Sequence, residues 1–337
     1  MITMDFNQKI LIIRFSSIGD IVLATSPLST IRTAYPDSEI TFLTLDKFAP
    51  LLEFHPHVDR LLSIPSNSSI RYLWEFSRYM DRNAYGIIYD MHNSLRSNIV
   101  TFHSRSQTYQ LRKPRFNRMM LFHFHENYFQ SQFSARSMYH EHLGPIWNRD
   151  HDTIPPSLLR LSGSELEKGK SSLINRGVIG EYIAVMPEAA WRQKQWRSES
   201  YIEVLNKLDM PSVLIGSKIG GICTDIQKGL EHSTDLSGQT SLRDAMSIIA
   251  NAKHVIGSDT GLVHAAEALG KTVSMILGPT STQTGAGVSL DSSINIEKDL
   301  WCRPCSQNGS VPCYRKQQYC MESITPQDVL DSLQIKL

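Results

Sequence analysis

The 337-residue sequence has no uncharged apolar run of the roughly 18 residues that a membrane-spanning helix requires, and its N-terminal ILII run, residues 10–13, stops at Arg14. The chain reads as cytosolic, without a cleaved leader. Net charge is nearly absent: 34 Lys+Arg stand against 33 Asp+Glu, a formal +1, which excludes the global positive field of a nucleic-acid-binding protein. Any charged partner is therefore met locally. The dispersed cysteine framework of a disulfide-stapled secreted domain is also missing, since four of the five cysteines fall between Cys302 and Cys320 while Cys223 stands alone. There is no repeat of solenoid period and no low-complexity tract. No G-x-G-x-x-G follows the first strand-like run, which removes the main support for a dinucleotide-dependent enzyme.

What is present is an alternation. In the first half, residues 9–15, 39–45, 59–64 and 85–91 have strand length and β-branched content, and residues 20–34 and 69–82 carry apolar positions at helical spacing. Prolines and glycines punctuate 145–180, which reads as a junction. The alternation resumes with strands at 181–186, 211–216, 254–257 and 272–277 and helices at 198–208, 241–251 and 261–269. The expectation is an α/β protein of two doubly wound Rossmann-like domains, 1–170 and 171–337, facing each other across a cleft. Ligands of such folds bind beyond the carboxyl ends of the strands, so chemistry belongs in the loops that follow them.

Three such loops stand out. In IRFSSIGD (13–20), Asp20 sits where a helix begins and is either an N-cap or a general base. In GSDTGLVHAAEALG (257–270), Asp259 or Thr260 caps a helix whose free amides suit phosphate, with Gly261 allowing close approach and His264 one turn in. In PEAAWRQKQW (187–196), Arg192 and Lys194 are cations able to hold a diphosphate, or else a solvated basic loop. Two further features lie outside these loops. Residues 91–125 contain six basic residues, Arg96, Arg105, Arg112, Lys113, Arg115 and Arg118, and no acidic one, which suits an acidic glycolipid or an anionic membrane surface. Cys302, Cys305, Cys313 and Cys320, spaced C-x2-C-x7-C-x6-C, suit a structural zinc or iron. The pairs His55/His57, His123/His125 and His140/His142 have no supporting ligand spacing and read as surface residues.

Taken in order, IRFSSIGD, YDMHNSLRS (89–97), Lys194-Gln195-Trp196, GSDTGLVHAAEALG with LGPTSTQTG (277–285), and ITPQDVL (324–330) resemble glycosyltransferase family nine, the heptosyltransferases of lipopolysaccharide core assembly, over nearly the whole chain. The resemblance implies a GT-B fold, with an N-terminal acceptor domain and a C-terminal donor domain that carries the cysteine segment 302–320. It implies Asp20 as catalytic base, and Lys194, Asp259, Thr260, Gly261, Leu262 and His264 as the binding site of a nucleotide-sugar donor, ADP-heptose; Arg192, read from its loop, joins them as a donor-binding candidate. It also implies inversion at the anomeric carbon and no cofactor or metal in catalysis. Arg14, Ser17, Gly19 and Arg96 are the acceptor-binding candidates, for an acidic glycolipid or glycan met at the inner membrane. No nucleic acid is expected. Two departures stand out: Ala189 and Ala190 where the family often has hydroxyl residues, and Gly220 and Gly221 where an acidic residue usually meets the ribose. The alternatives are a nucleotide-sugar epimerase of the same architecture and a non-catalytic binding module stabilised by the cysteine site.

Overall fold

A computed structural model describes residues 9–129, 133–217 and 221–334. The chain divides into two compact units, each built on one parallel sheet. In the first unit the strands are β1 (Ile10–Ile13), β2 (Ile40–Leu45), β3 (Arg60–Ile64), β4 (Ile87–Asp90) and β5 (Gln107–Gln110), in spatial order β3-β2-β1-β4-β5. β1, β2 and β4 are buried at every position, as strands covered on both faces must be, and this is why they read as unbroken apolar runs. β3 and β5 lie at the edges and are partly exposed.

The second unit has β6 (Ile183–Met186), β7 (Ser212–Leu214), β8 (Ser233–Asp235), β9 (His254–Ser258), β10 (Val273–Ile276) and β11 (Ile294–Ile296), in order β11-β10-β9-β6-β7-β8. Alternation along β6 supplies both of its cores. Ala184 and Met186 join Val255, Val263 and Ile248 on one face, and Ile183 and Val185 join Trp196, Tyr201 and Ile324 on the other. Both units are thus doubly wound and Rossmann-like, as expected. Each reverses its winding at one point, between β1 and β4 in the first unit and between β6 and β9 in the second. There Ile13 pairs with Asp90, and Met186 pairs with Gly257.

The unit bounds differ from 1–170 and 171–337. The second unit begins at Leu161 and also takes in Pro114–Ser134. Residues within 145–180 form a helix, Gly163–Ile174, capped by Ser162 and Glu165. It packs on helix Leu242–Asn251 so closely that a Cβ on Gly169 would lie 2.7 Å from Ser247 Oγ, and Glu165 pairs with Arg243 at 2.6 Å. Helix Arg115–Phe124 belongs with the second unit as well, where the following His125 ring meets Trp301 at 5.5 Å between centroids. The basic residues Arg115 and Arg118 therefore belong to a different unit from Arg96. The single helix expected over 20–34 is two, Ile18–Leu23 and Ser26–Ala34, because Pro27 can occupy only a first turn.

Candidate active site

In the first unit β1 and β4 emerge side by side, and their loops interlock. The Ser16–Ser17 peptide is cis. Asp20 is not the N-cap: Ser17 is, and the Asp20 carboxylate reaches back to accept from the Ser17 N–H at 3.0 Å and its hydroxyl at 2.9 Å. The other carboxylate oxygen pairs with Arg14 Nη2 at 2.8 Å, and the Asp20 side chain remains 43 % exposed. Burial alone would raise the pKa of Asp20, but the Arg14 charge and the Ser17 hydrogen bonds outweigh it and hold the carboxyl below its ordinary value. Arg14 is itself buried, donating also to Met91 O at 2.6 Å, so it serves the carboxylate and the β4 loop instead of lying open to an acceptor.

The β4 loop carries a residue that sequence reasoning missed. Asp90, fully buried, accepts from the N–H groups of His92 and Asn93 at 3.0 and 2.8 Å and so shapes the turn. His92 packs edge-on against Phe15 at 5.2 Å. Burial, with Arg14, Lys113 and Arg96 around it, pushes its pKa down to about 4, so it stands neutral beside Asp20. Its Nδ1 has no hydrogen-bond partner among the described residues. YDMHNSLRS was the available signal, but only its arginine was read from it. Arg96 lies on the next helix, Leu95–Val100, and donates to Ser66 O at 3.2 Å. Ser17 is exposed, and Gly19 is buried in the first turn.

In the second unit the loops after β6 and β9 meet in the same way. Lys194 Nζ lies 2.8 Å from Asp259 Oδ2, with both side chains largely buried. Thr280, from the loop after β10, donates to the same oxygen at 2.9 Å, and His264 Nε2 lies 3.6 Å from Oδ1. Burial would raise the Asp259 pKa, yet His264 and the Lys194 ammonium drive it far below the usual carboxylate range. Thr260 is the N-cap of helix Gly261–Ala268, so Asp259 is free to hold the lysine. Gly257 allows this approach, since a Cβ there would lie 2.6 Å from Val263 Cγ2 and 2.8 Å from Met186 O. Lys194, Asp259, Thr260, Gly261, Leu262 and His264 are thus one cluster. Arg192 is exposed and is not the ion-pair partner, and Thr280 was overlooked. Beside this cluster Ala189 offers its carbonyl to Gln195 Nε2 at 3.1 Å, Gly221 takes a positive φ of 70° as a helix N-cap, and Gly220 lies outside the described residues.

Among the described residues no group of three or more His, Cys, Asp or Glu side chains is disposed to hold a metal ion. The thiols are neighbours: burial, reinforced by Cys320, Cys302 and Cys313, pushes Cys305 up to about 11. Their sulfurs engage other groups, Cys302 accepting from Arg315 at 3.6 Å and Cys313 donating to Gln317 O at 3.8 Å. Two histidines read as surface residues are buried. His140 is held by Arg136 O and Thr30, and His55 is 4 % exposed.

The sequence profile of Glycosyltransferase family 9 (heptosyltransferase) matches residues 73–314. Lipooligosaccharide heptosyltransferase 2 of Haemophilus ducreyi is 28% identical over 307 residues, 81% of this chain and 84% of that one. Two solved structures are similar throughout. A family 9 glycosyl transferase from Veillonella parvula has a TM-score of 0.79 at 16% identity, covering 99% of this chain and 98% of the other. The Escherichia coli ADP-heptose LPS heptosyltransferase II has a TM-score of 0.73 at 20% identity, covering 97% and 98%. The fold is therefore that of the heptosyltransferases, GT-B.

Proposed function

This chain belongs to glycosyltransferase family 9, the heptosyltransferase family, and from that premise we propose that it transfers a heptose from an ADP-activated donor to a lipopolysaccharide-core or similar acidic glycan, inverting the anomeric centre without a catalytic metal. The names of its relatives support the sugar and the acceptor class. The observation that carries the reading is the placement of reactive groups at both winding reversals, an ionised carboxylate in one unit and, in the other, a largely buried lysine paired with the aspartate just before a helix start.

The acceptor hydroxyl oxygen attacks the anomeric carbon and forms the new C–O bond as its proton passes to Asp20. The bond from that carbon to the diphosphate breaks, and its electron pair leaves with ADP. Lys194 and the amides that open helix Gly261–Ala268 stabilise the growing charge, so no proton donor is needed there. Asp259, with Thr280 and His264, fixes the lysine. On the acceptor side Ser17, Gly19 and Arg96 stay as contacts, joined by neutral His92, while Arg14 acts through Asp20. Two exposed aromatic rings, Trp74 and Phe102, lie 4.9 Å apart, and neighbouring Ile70 and Arg71 are exposed too. This exposed apolar surface supports peripheral contact with a membrane. Among the described residues no helix is long and apolar enough to cross one.

A calorimetric screen of nucleotide sugars tests the donor. We expect ADP-heptose to bind, and Lys194→Ala to weaken it about tenfold or more. Unaltered affinity in that variant would remove Lys194 from the site.

A further inference from the structure

The cysteine segment has a place in the fold that its metal reading does not explain. It lies against the loop that carries Lys194. Gly309, buried and at φ +80°, faces the stem of that lysine: a Cβ on Gly309 would sit 2.5 Å from Lys194 Cγ and 2.6 Å from Cδ. Its N–H donates to Ser306 Oγ at 2.9 Å, which fixes the turn. Gln318 Nε2 donates to the carbonyl of Gln193, the residue before the lysine. The same segment also holds the other side of the ion pair. Arg303 donates to Thr280 O at 2.7 Å and Leu277 O at 3.3 Å and pairs with Glu297 at 2.8 Å, while the Cys305 N–H donates to Pro279 O at 3.2 Å. Thr280 in turn donates to Asp259.

A lysine has a flexible four-carbon stem, and holding its ammonium at one point has an entropic cost unless packing restricts the stem beforehand. We propose that residues 301–320 form the wall that sets Lys194 against Asp259, and that Gly309 and Gln318 are positioning residues for the donor-phosphate lysine. The inference rests on the reading of Lys194 as a donor ligand. Only glycine fits at 309, for two separate reasons: the left-handed backbone and the approach of the lysine stem. Gly309 and Gln318 act on donor affinity through the lysine side chain and leave the acceptor side of the reaction alone.

The test is a double-mutant cycle read by calorimetric titration with ADP. Gly309→Ala and Gln318→Ala should each weaken ADP binding, the first by about tenfold, and raise the donor KM while the acceptor KM stays at the wild-type value. In a Lys194→Ala background the same substitutions should change ADP affinity by less than about twofold, because the side chain they act through is gone. If their effects persist undiminished in that background, or if both variants bind ADP as the wild type does while Lys194→Ala is impaired, the positioning role is overturned and the donor reading survives. If Lys194→Ala alone leaves ADP affinity unchanged, the donor reading fails, and this inference fails with it. Should Gly309→Ala not fold, Gln318→Ala carries the same cycle.

Discussion

At the residue scale, Asp20 is under two opposed influences. Enclosure raises its pKa, while Arg14 at 2.8 Å and two hydrogen bonds from Ser17 lower it, and the second set prevails. A carboxylate held this way stays ionised down to below the ordinary aspartate value of about 4; in the proposed role of base this lowers its intrinsic basicity but keeps it ready to take a proton throughout the neutral range. Arg14→Gln should remove the largest lowering influence and move the acid limb of kcat/KM to higher pH. A pH–rate profile checks this, and an unmoved limb would show that Arg14 does not tune the base. Part of this site was legible in the sequence. The sequence placed Asp20 where a helix begins, as an N-cap or a base, and the first of these is corrected: Ser17 is the cap and Asp20 the third helical residue. His92 lay within a motif from which only Arg96 was read, and Thr280 and Arg303 were not legible, because each makes its contact between loops far apart in the chain, which no local spacing signals.

At the element scale, legibility follows burial. β1, β2, β4, β6, β9 and β10 are covered on both faces and announce themselves as apolar runs, whereas the edge strands β5, β8 and β11 are short and partly exposed, and QTYQ or STD carries no period to read. Glycines misled in one place and informed in another. Gly169 looked like linker punctuation, yet it lets one helix rest on Ser247 of another. Gly257 was read as the end of a strand, and it is where β9 comes against β6 beneath the helix that begins at Gly261. Gly257→Ala would drive a methyl group into Met186 O and Val263. We expect a loss of about 1–3 kcal/mol in a urea melt with weakened ADP binding. A variant as stable as the parent would mean that the helix start has room to move.

At the scale of the whole molecule, both sheets follow one winding rule, and each places its reactive loops at its own point of reversal. The same burial that builds the units leaves His55, His92, His140 and His254 neutral, each with its pKa lowered to about 4 chiefly by desolvation. In the unfolded chain these imidazoles take protons near 6.5. Between about 6.5 and 4 the unfolded state therefore binds more protons, so stability falls as pH falls through that window. Urea midpoints should drop steadily from pH 7 to pH 4.5, and a flat profile would show that these rings are not buried as described. The central claim is a division of labour, with the proton acceptor in one unit and the donor anchor in the other. It is tested most directly by measuring the dissociation constant of ADP-heptose for Asp20→Asn beside the turnover of the same variant. The account predicts donor affinity close to that of the wild type with turnover lower by about 10²–10⁴; equal losses in both would reduce Asp20 to a brace for its helix and contradict the account.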